Sequence, residues 1–325
     1  MDEGGYDGQF YARFALNPFS IEESAHGVRV DRPAYRYQRI LYPLTAFALS
    51  FGSEDLVPFS LVLVNAFSIL FIFIIARKFL KQMNAPEWYA LIIAAFPGLL
   101  MSLGRDLAEP LALATGLGSL YAIKNGRFLQ YAMLASLCVL SRETSVIIFA
   151  MVGLAYLTTH RAWDRRIVFL IAPGLVFIIW QIVLSRLFGT PGFLTGPKNF
   201  GIPFTGMLAY LESIPLRSTK EIIVQSLYHF WIFALLILGL RSLQFRAEDL
   251  LERSLSFSFI VWCLLAVFFT DMIWEDDWSF CRVLLDWQVA ASLLYLGKYK
   301  ALPIWFSSFT LLLIAGTVLR LFIKV

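Results

Sequence analysis

The sequence predicts an all-α, polytopic membrane protein, and three observations carry that reading. Of the 325 residues 59% are hydrophobic and only 15% charged, whereas soluble domains carry about a quarter charged residues. Thirty Phe and nine Trp lift the aromatic content to 16%, with a mean hydropathy of +0.70. The apolar residues also fall into runs approaching the roughly 20 residues that a spanning helix needs. A water-soluble enzyme, a disordered chain and a coiled coil are excluded. The net charge of +4 is too small to argue for nucleic acid as a partner.

Ten runs are expected to span: Val57–Ile75, Trp88–Leu103, Leu107–Ile123, Phe128–Leu140, Thr144–Thr158, Ile167–Leu187, Ile222–Leu240, Leu255–Phe269, Val283–Leu296 and Leu302–Ile323. Together they form one integral membrane domain, residues 1–325. It divides into a first outside loop (1–56), a helical module (57–188), an outside loop (189–221) and a second helical module (222–325). Basic residues mark every second loop as cytoplasmic: Arg77, Lys78 and Lys81, then Lys124 and Arg127, Arg161 to Arg166, Arg241 and Arg246, Lys298 and Lys300. Arginines of the opposite side stand beside acids, as in Arg105-Asp106 and Arg142-Glu143. Met1–Leu56 then lies outside without a signal peptide or a preceding helix. The expectation is a further span upstream of Met1, eleven in all. Thr205–Ser213 reads as an interfacial helix.

The cysteines Cys138, Cys263 and Cys281 and the histidines His26, His160 and His229 are scattered, so no disulfide framework or zinc spacing arises. The functional signal is an asymmetry. Asp7, Arg36, Arg39, Arg105, Asp106, Glu109, Arg142, Glu143, Arg282 and Asp286 gather on the outside face, and ionisable groups at membrane depth usually mark function. Arginine forks grip phosphate oxygens bidentately and a carboxylate can take a hydroxyl proton. The combination suits a phosphate-bearing lipid substrate.

The most specific stretch reads Tyr6-Asp7-Gly8-Gln9-Phe10-Tyr11, followed by Asp31-Arg32-Pro33-Ala34-Tyr35-Arg36-Tyr37-Gln38-Arg39-Ile40-Leu41-Tyr42-Pro43. This pair resembles the first outside loop of GT-C membrane glycosyltransferases, especially bacterial relatives of the mannosyltransferases. Leu140-Ser141-Arg142-Glu143-Thr144 resembles a second patch of that family at the outside end of a middle helix. Phe280-Cys281-Arg282-Val283-Leu284-Leu285 resembles the late arginine segment near the donor phosphate, with Asp286 where many relatives carry proline. The likeness covers about the first half of the chain and this late segment; Ile167–Thr270 matches by hydropathy alone.

The resemblance implies a GT-C-like helix bundle that moves a sugar from a polyprenyl-phosphate donor to a saccharide, lipid or protein acceptor, with inversion. The place implied is a bacterial inner membrane, with the site facing the periplasm and the donor entering from the lipid bilayer. Asp7 is the implied catalytic base. Arg36, Arg39, Arg142, Glu143 and Arg282 are the implied donor-phosphate and substrate residues, supported by Tyr6, Gln9, Tyr37, Arg105, Asp106, Glu109 and Asp286. No cofactor is demanded; a divalent cation would find hard oxygens at Asp276 and Asp277, which read equally as a solvated acidic loop. Each residue has a plainer reading beside it. Asp7-Gly8 is also a turn pair, Arg36 and Arg39 are also headgroup-snorkelling arginines, and Arg142-Glu143 also closes a helix hairpin. Arg282 and Asp286, four apart on one helix, also neutralise each other, while Asp106 and Glu109 share a helix face. A transporter or flippase of a lipid-linked saccharide, or a non-catalytic relative, is the alternative function. It would use the same arginines without needing Asp7.

Overall fold

Local sequence already dictates where helices break. Pro97 lacks an amide proton and disfavours helix in the residue before it, and Gly126 takes the left-handed turn that reverses the chain. The computed structural model describes residues 7–160, 164–196 and 198–323. It is almost wholly helical, with seventeen α-helices and one two-stranded hairpin, Ser24–Ala25 with Val28–Arg29, among the described residues.

Five helices are long and apolar enough to cross a bilayer: Glu54–Gln82, Ile167–Phe188, Thr219–Ser242, Leu250–Val267 and Ile304–Ile323. Phe128–Ser141 and Glu143–Thr159 are shorter apolar helices. Other expected spans are broken or short. Trp88–Leu103 divides into Tyr89–Ala94 and Pro97–Leu103, because the chain leaves the helix at Ala95, two residues before Pro97. Glu109–Lys124 has 16 residues, about 24 Å at the helical rise, less than the ~30 Å of a hydrocarbon core. The long helices leave apolar side chains such as Ile178, Ile182, Leu264 and Leu312 uncovered, as lipid-facing positions require.

The chain forms two compact units that interleave in sequence. The first comprises Met1–Ile75, Ser102–Gly153 and Arg161–Gly196. In it Glu109–Lys124 and Phe128–Ser141 form a tight helical hairpin, and Ile167–Phe188 packs on the latter. The small residues Gly116 and Gly118 admit the close neighbours Cys138, Phe71 and Leu134. The described residues before Val57 are no loose loop. Phe10, Tyr11, Phe14, Val30, Tyr37, Tyr42 and Ala46 share one buried cluster with Val57, Leu61, Val64, Leu107 and Leu184.

The second unit comprises Ala76–Met101, Leu154–His160 and Pro197–Val325. Ser218 and Glu221 form a capping box that starts Thr219–Ser242. That helix packs along Leu285–Tyr299 and is pinned by Trp231 Nε1 donating to Thr310 Oγ1 at 3.0 Å and by Tyr228 with Thr317 at 2.7 Å. Lys298 donates to Glu252 at 2.7 Å and to Glu248 at 3.2 Å. Thr205–Ser213 is a helix, and Leu208 and Leu211 on it are exposed.

Candidate functional site

The first unit holds most of the polar residues expected on the outside face, and their placement starts at one glycine. A Cβ on Gly8 would lie 2.1 Å from the Arg105 carbonyl oxygen, so only a residue without one lets the start of Gly8–Leu16 lie on the Arg105-Asp106 turn. Asp7 occupies the N-cap position, but its side chain makes no capping bond. The carboxylate instead accepts a hydrogen bond from Arg36 Nη1 at 2.6 Å. Arg36 also grips Asp31 through Nε at 2.9 Å and Nη2 at 3.1 Å, and its guanidinium lies 4.2 Å from the Phe10 ring centroid. One arginine thus joins two carboxylates from separate parts of the loop.

Arg39 makes the second junction. Its Nε and Nη2 each donate to a Glu143 oxygen at 2.9 Å, across 104 residues of sequence. Its Nη1 donates to the Tyr11 hydroxyl at 3.3 Å. Burial alone would raise the Glu143 carboxyl, but Arg39, helped by the charge of Arg142, holds it below the ordinary value. Burial pushes the Tyr11 phenol up, so it stays a neutral hydroxyl. Arg142 is buried on the same turn.

Asp106 and Glu109 do not share a helix face, contrary to the expectation from spacing. Asp106 is a left-handed turn residue with φ +51°, and the helix begins at Glu109. Its Oδ1 is buried and has no hydrogen-bond partner among the described residues, and burial raises the carboxyl to about 6. Glu109 is buried at the first helical position, and Arg105 is half-buried.

Tyr37 faces the apolar cluster rather than the polar one. Its ring lies 4.1 Å from Phe14 and 5.3 Å from Phe188, and its hydroxyl donates to the Ser20 carbonyl. Gln38 is buried and accepts from Gln181 Nε2 at 3.1 Å, while Trp180 Nε1 donates to the Tyr37 carbonyl at 3.2 Å. The Ile167–Phe188 helix therefore carries the segment that presents Arg36 and Arg39. Gln9 is half-buried, and Tyr6 lies outside the described residues. Tyr11, Tyr35 and Asp31 touch the two arginines without standing among the expected site residues. Their signal was position alone, since all three fall within the two motif strings.

Within the second unit, Arg282 and Asp286 are not on one continuous helix. Leu284 separates Asp277–Val283 from Leu285–Tyr299. Arg282 is buried and its Nε donates to the Trp278 carbonyl at 2.6 Å. Asp286 is buried as well. Gly98 allows a close approach to the Cys281 carbonyl, which lies 2.3 Å from where a Cβ would sit. Asp276 and Asp277 are not a solvated pair. Asp276 caps its helix by accepting from the Trp278 amide at 3.1 Å, and buried Asp277 is bonded to Arg320 Nη1 at 2.5 Å. Among the described residues no group of three or more His, Cys, Asp or Glu side chains is placed to hold a metal ion.

The arrangement in the first unit can accept a proton, at Asp7 or Asp106, and can offer guanidinium donors beside it. Comparison with known proteins gives one family. The profile described as "Predicted membrane protein (DUF2079)" matches residues 36–272, nearly three quarters of the chain. No curated protein matches, and no solved structure does.

Proposed function

Because the chain belongs to DUF2079, a family of predicted membrane proteins, we propose that it is an integral membrane glycosyltransferase of the GT-C type, moving a sugar from a polyprenyl-phosphate donor to an acceptor on the non-cytoplasmic face. The observation that carries this reading is the closure of the two first-loop motifs on each other, with Asp7 Oδ1 2.6 Å from Arg36 Nη1. A turn-forming Asp would bond its own backbone, and a snorkelling Arg would reach for headgroups. Instead an acidic residue and an arginine of the two resembling segments pair with each other.

In the proposed reaction the acceptor hydroxyl gives its proton to Asp7 as its oxygen attacks the anomeric carbon. The bond from that carbon to the phosphate oxygen breaks, and the polyprenyl phosphate leaves with the electron pair. Arginines offset the charge that develops on it. Arg39 and Arg142 are the proposed donors from the first unit, and Arg282 is assigned on the resemblance of its segment. Direct displacement inverts the anomeric centre. In the proposed topology the five long helices are joined by Trp88–Leu103, Leu107–Ile123, Phe128–Leu140, Thr144–Thr158 and Val283–Leu296 to make ten spans.

The test pairs two measurements on purified variants, polyprenyl-phosphate binding by calorimetry and transfer of a labelled sugar. Asp7→Asn keeps size and most hydrogen bonding but removes the base. It should bind lipid as wild type does while losing roughly 10²–10⁴-fold in transfer. Wild-type transfer by Asp7→Asn would remove Asp7 from the chemistry. Movement of the lipid across vesicles without any glycoside formed would replace the transferase with a transporter.

A further inference from the structure

A half-open groove of about 420 Å³ lies in the first unit, lined by Ile21, Glu23, Asp31, Arg32, Pro33, Ala34, Phe188, Thr190 and Thr195. Its volume is within the ~300–1,000 Å³ typical of small-molecule sites. We propose that this groove binds a saccharide, and that it is the acceptor subsite of the transferase proposed above. The second half of that statement rests on the transferase reading; the first does not.

The lining argues for a neutral polyhydroxylated ligand. Glu23 and Asp31 offer carboxylate oxygens that accept from hydroxyl groups, and Arg32 offers donors to ring and hydroxyl oxygens. Burial alone would raise the Asp31 carboxyl, but its bonds to Arg36 and the charge of Arg32 hold it below the ordinary value, so it acts as an acceptor. Thr195 spends its proton on the Gly192 carbonyl at 3.0 Å and keeps its oxygen lone pairs for a ligand. Phe188 and Pro33 supply an apolar wall for the C–H face of a sugar ring. Phe188 is held in place by the Tyr37 ring.

Charge decides against the phosphate end of a lipid. Glu23, Asp31 and Asp7 are balanced by Arg29, Arg32 and Arg36, with Arg36 held by Asp31 and Asp7, Arg29 3.8 Å from Glu23 and Arg32 acting on Asp31. An anion would meet no net positive charge here. The groove is also wired to the proposed base, since Asp31 binds one side of the Arg36 guanidinium and Asp7 another. A saccharide hydroxyl seated on Asp31 is therefore one side chain removed from the partner of Asp7.

The experiment uses the purified full chain in nanodiscs and ligand-observed NMR. The probes are methyl α-D-mannoside, methyl β-D-glucoside, maltose and cellobiose, with inorganic phosphate as competitor. Wild type should transfer saturation to at least one saccharide, and phosphate should not displace it. Arg32→Ala and Thr195→Val, at an exposed and a half-buried position, should each weaken binding about fivefold, the effect of losing one hydrogen bond. No signal from all four saccharides, unchanged affinity in both groove variants, or displacement by phosphate would each overturn the proposal. Saccharide binding without transfer by wild type would leave the groove standing and fell the transferase. Transfer unaffected by both groove variants would leave the transferase standing and overturn the groove as its acceptor subsite.

Discussion

Breaking the Arg39–Glu143 pair tests whether the first loop is fixed by buried charge. Both side chains are largely withdrawn from water, at 14% and 13% exposure, and two parallel bonds of 2.9 Å join them. Removing one partner strands the other in a low-dielectric site, which costs ~3–5 kcal/mol, whereas apolar replacement of both is often near neutral. Glu143→Ala and Arg39→Ala should therefore each destabilise by about 3 kcal/mol or more, while Arg39→Met with Glu143→Leu should cost far less than their sum. The coupling energy comes from a double-mutant cycle read by reversible unfolding in SDS. The pair's contribution also has a pH direction. The folded carboxyl lies below its usual 4.5, so the stability it lends is complete above that value. It is lost as pH falls through the lowered one. Single-variant costs under ~1 kcal/mol, additive in the double variant, would describe a solvent-screened surface pair and refute the reasoning.

Gly8→Ala should disrupt the loop although alanine is the better helix former, because its Cβ would stand 2.1 Å from backbone rather than from a movable side chain. The readout is a lowered unfolding midpoint together with lost sugar transfer, and wild-type stability would contradict the packing. Asp106→Asn should stabilise the protein above pH 6 and have little effect below pH 4. The folded carboxyl is raised to about 6, so the native state holds its proton over that window and loses stability as pH rises through it. The full conversion is ~1.4 kcal/mol per unit, and partial solvation of the group reduces the gain to roughly 1–2 kcal/mol. Equal unfolding midpoints of wild type and variant at pH 4 and pH 8 would refute the assignment. Single cysteines introduced at Lys124 and Asn199, with the native cysteines replaced, should label from the outside at Asn199 and not at Lys124; the inverse would reverse the proposed topology.

How much of this was legible depends on how local each feature is. The helical, lipid-facing character follows from composition, and the loop motifs were visible because Asp7, Arg36 and Arg39 sit in short distinctive strings. The breaks in expected spans were also written locally. Pro97-Gly98 interrupts an apolar run, but hydropathy windows average over a proline that the backbone cannot ignore. The partner of Arg39 was not legible, because Glu143 reaches it from 104 residues away and no periodicity links them. Spacing misled at Asp106 and Glu109. Counting three residues presumes an unbroken helix, and a left-handed Asp106 removes that premise.

The two arginine junctions differ in a way that bears on which one would yield to the proposed substrate. Arg39 gives both of its parallel bonds to the Glu143 carboxylate, so displacing Glu143 would leave it, among the described residues, the hydroxyls of Tyr11 and Tyr35. Arg36 is shared: it holds Asp31 through two atoms and Asp7 through one. If the Asp7 carboxylate turns from Arg36 to an acceptor hydroxyl, the guanidinium keeps a bidentate partner and no stranded charge results. The desolvation penalty that makes Arg39 a rigid tether is thus largely absent at Arg36. The same loop can then be fixed at residue 39 and adjustable at residue 36. A base needs that combination, since its position must be set before the reaction while its carboxylate exchanges one partner for another during it.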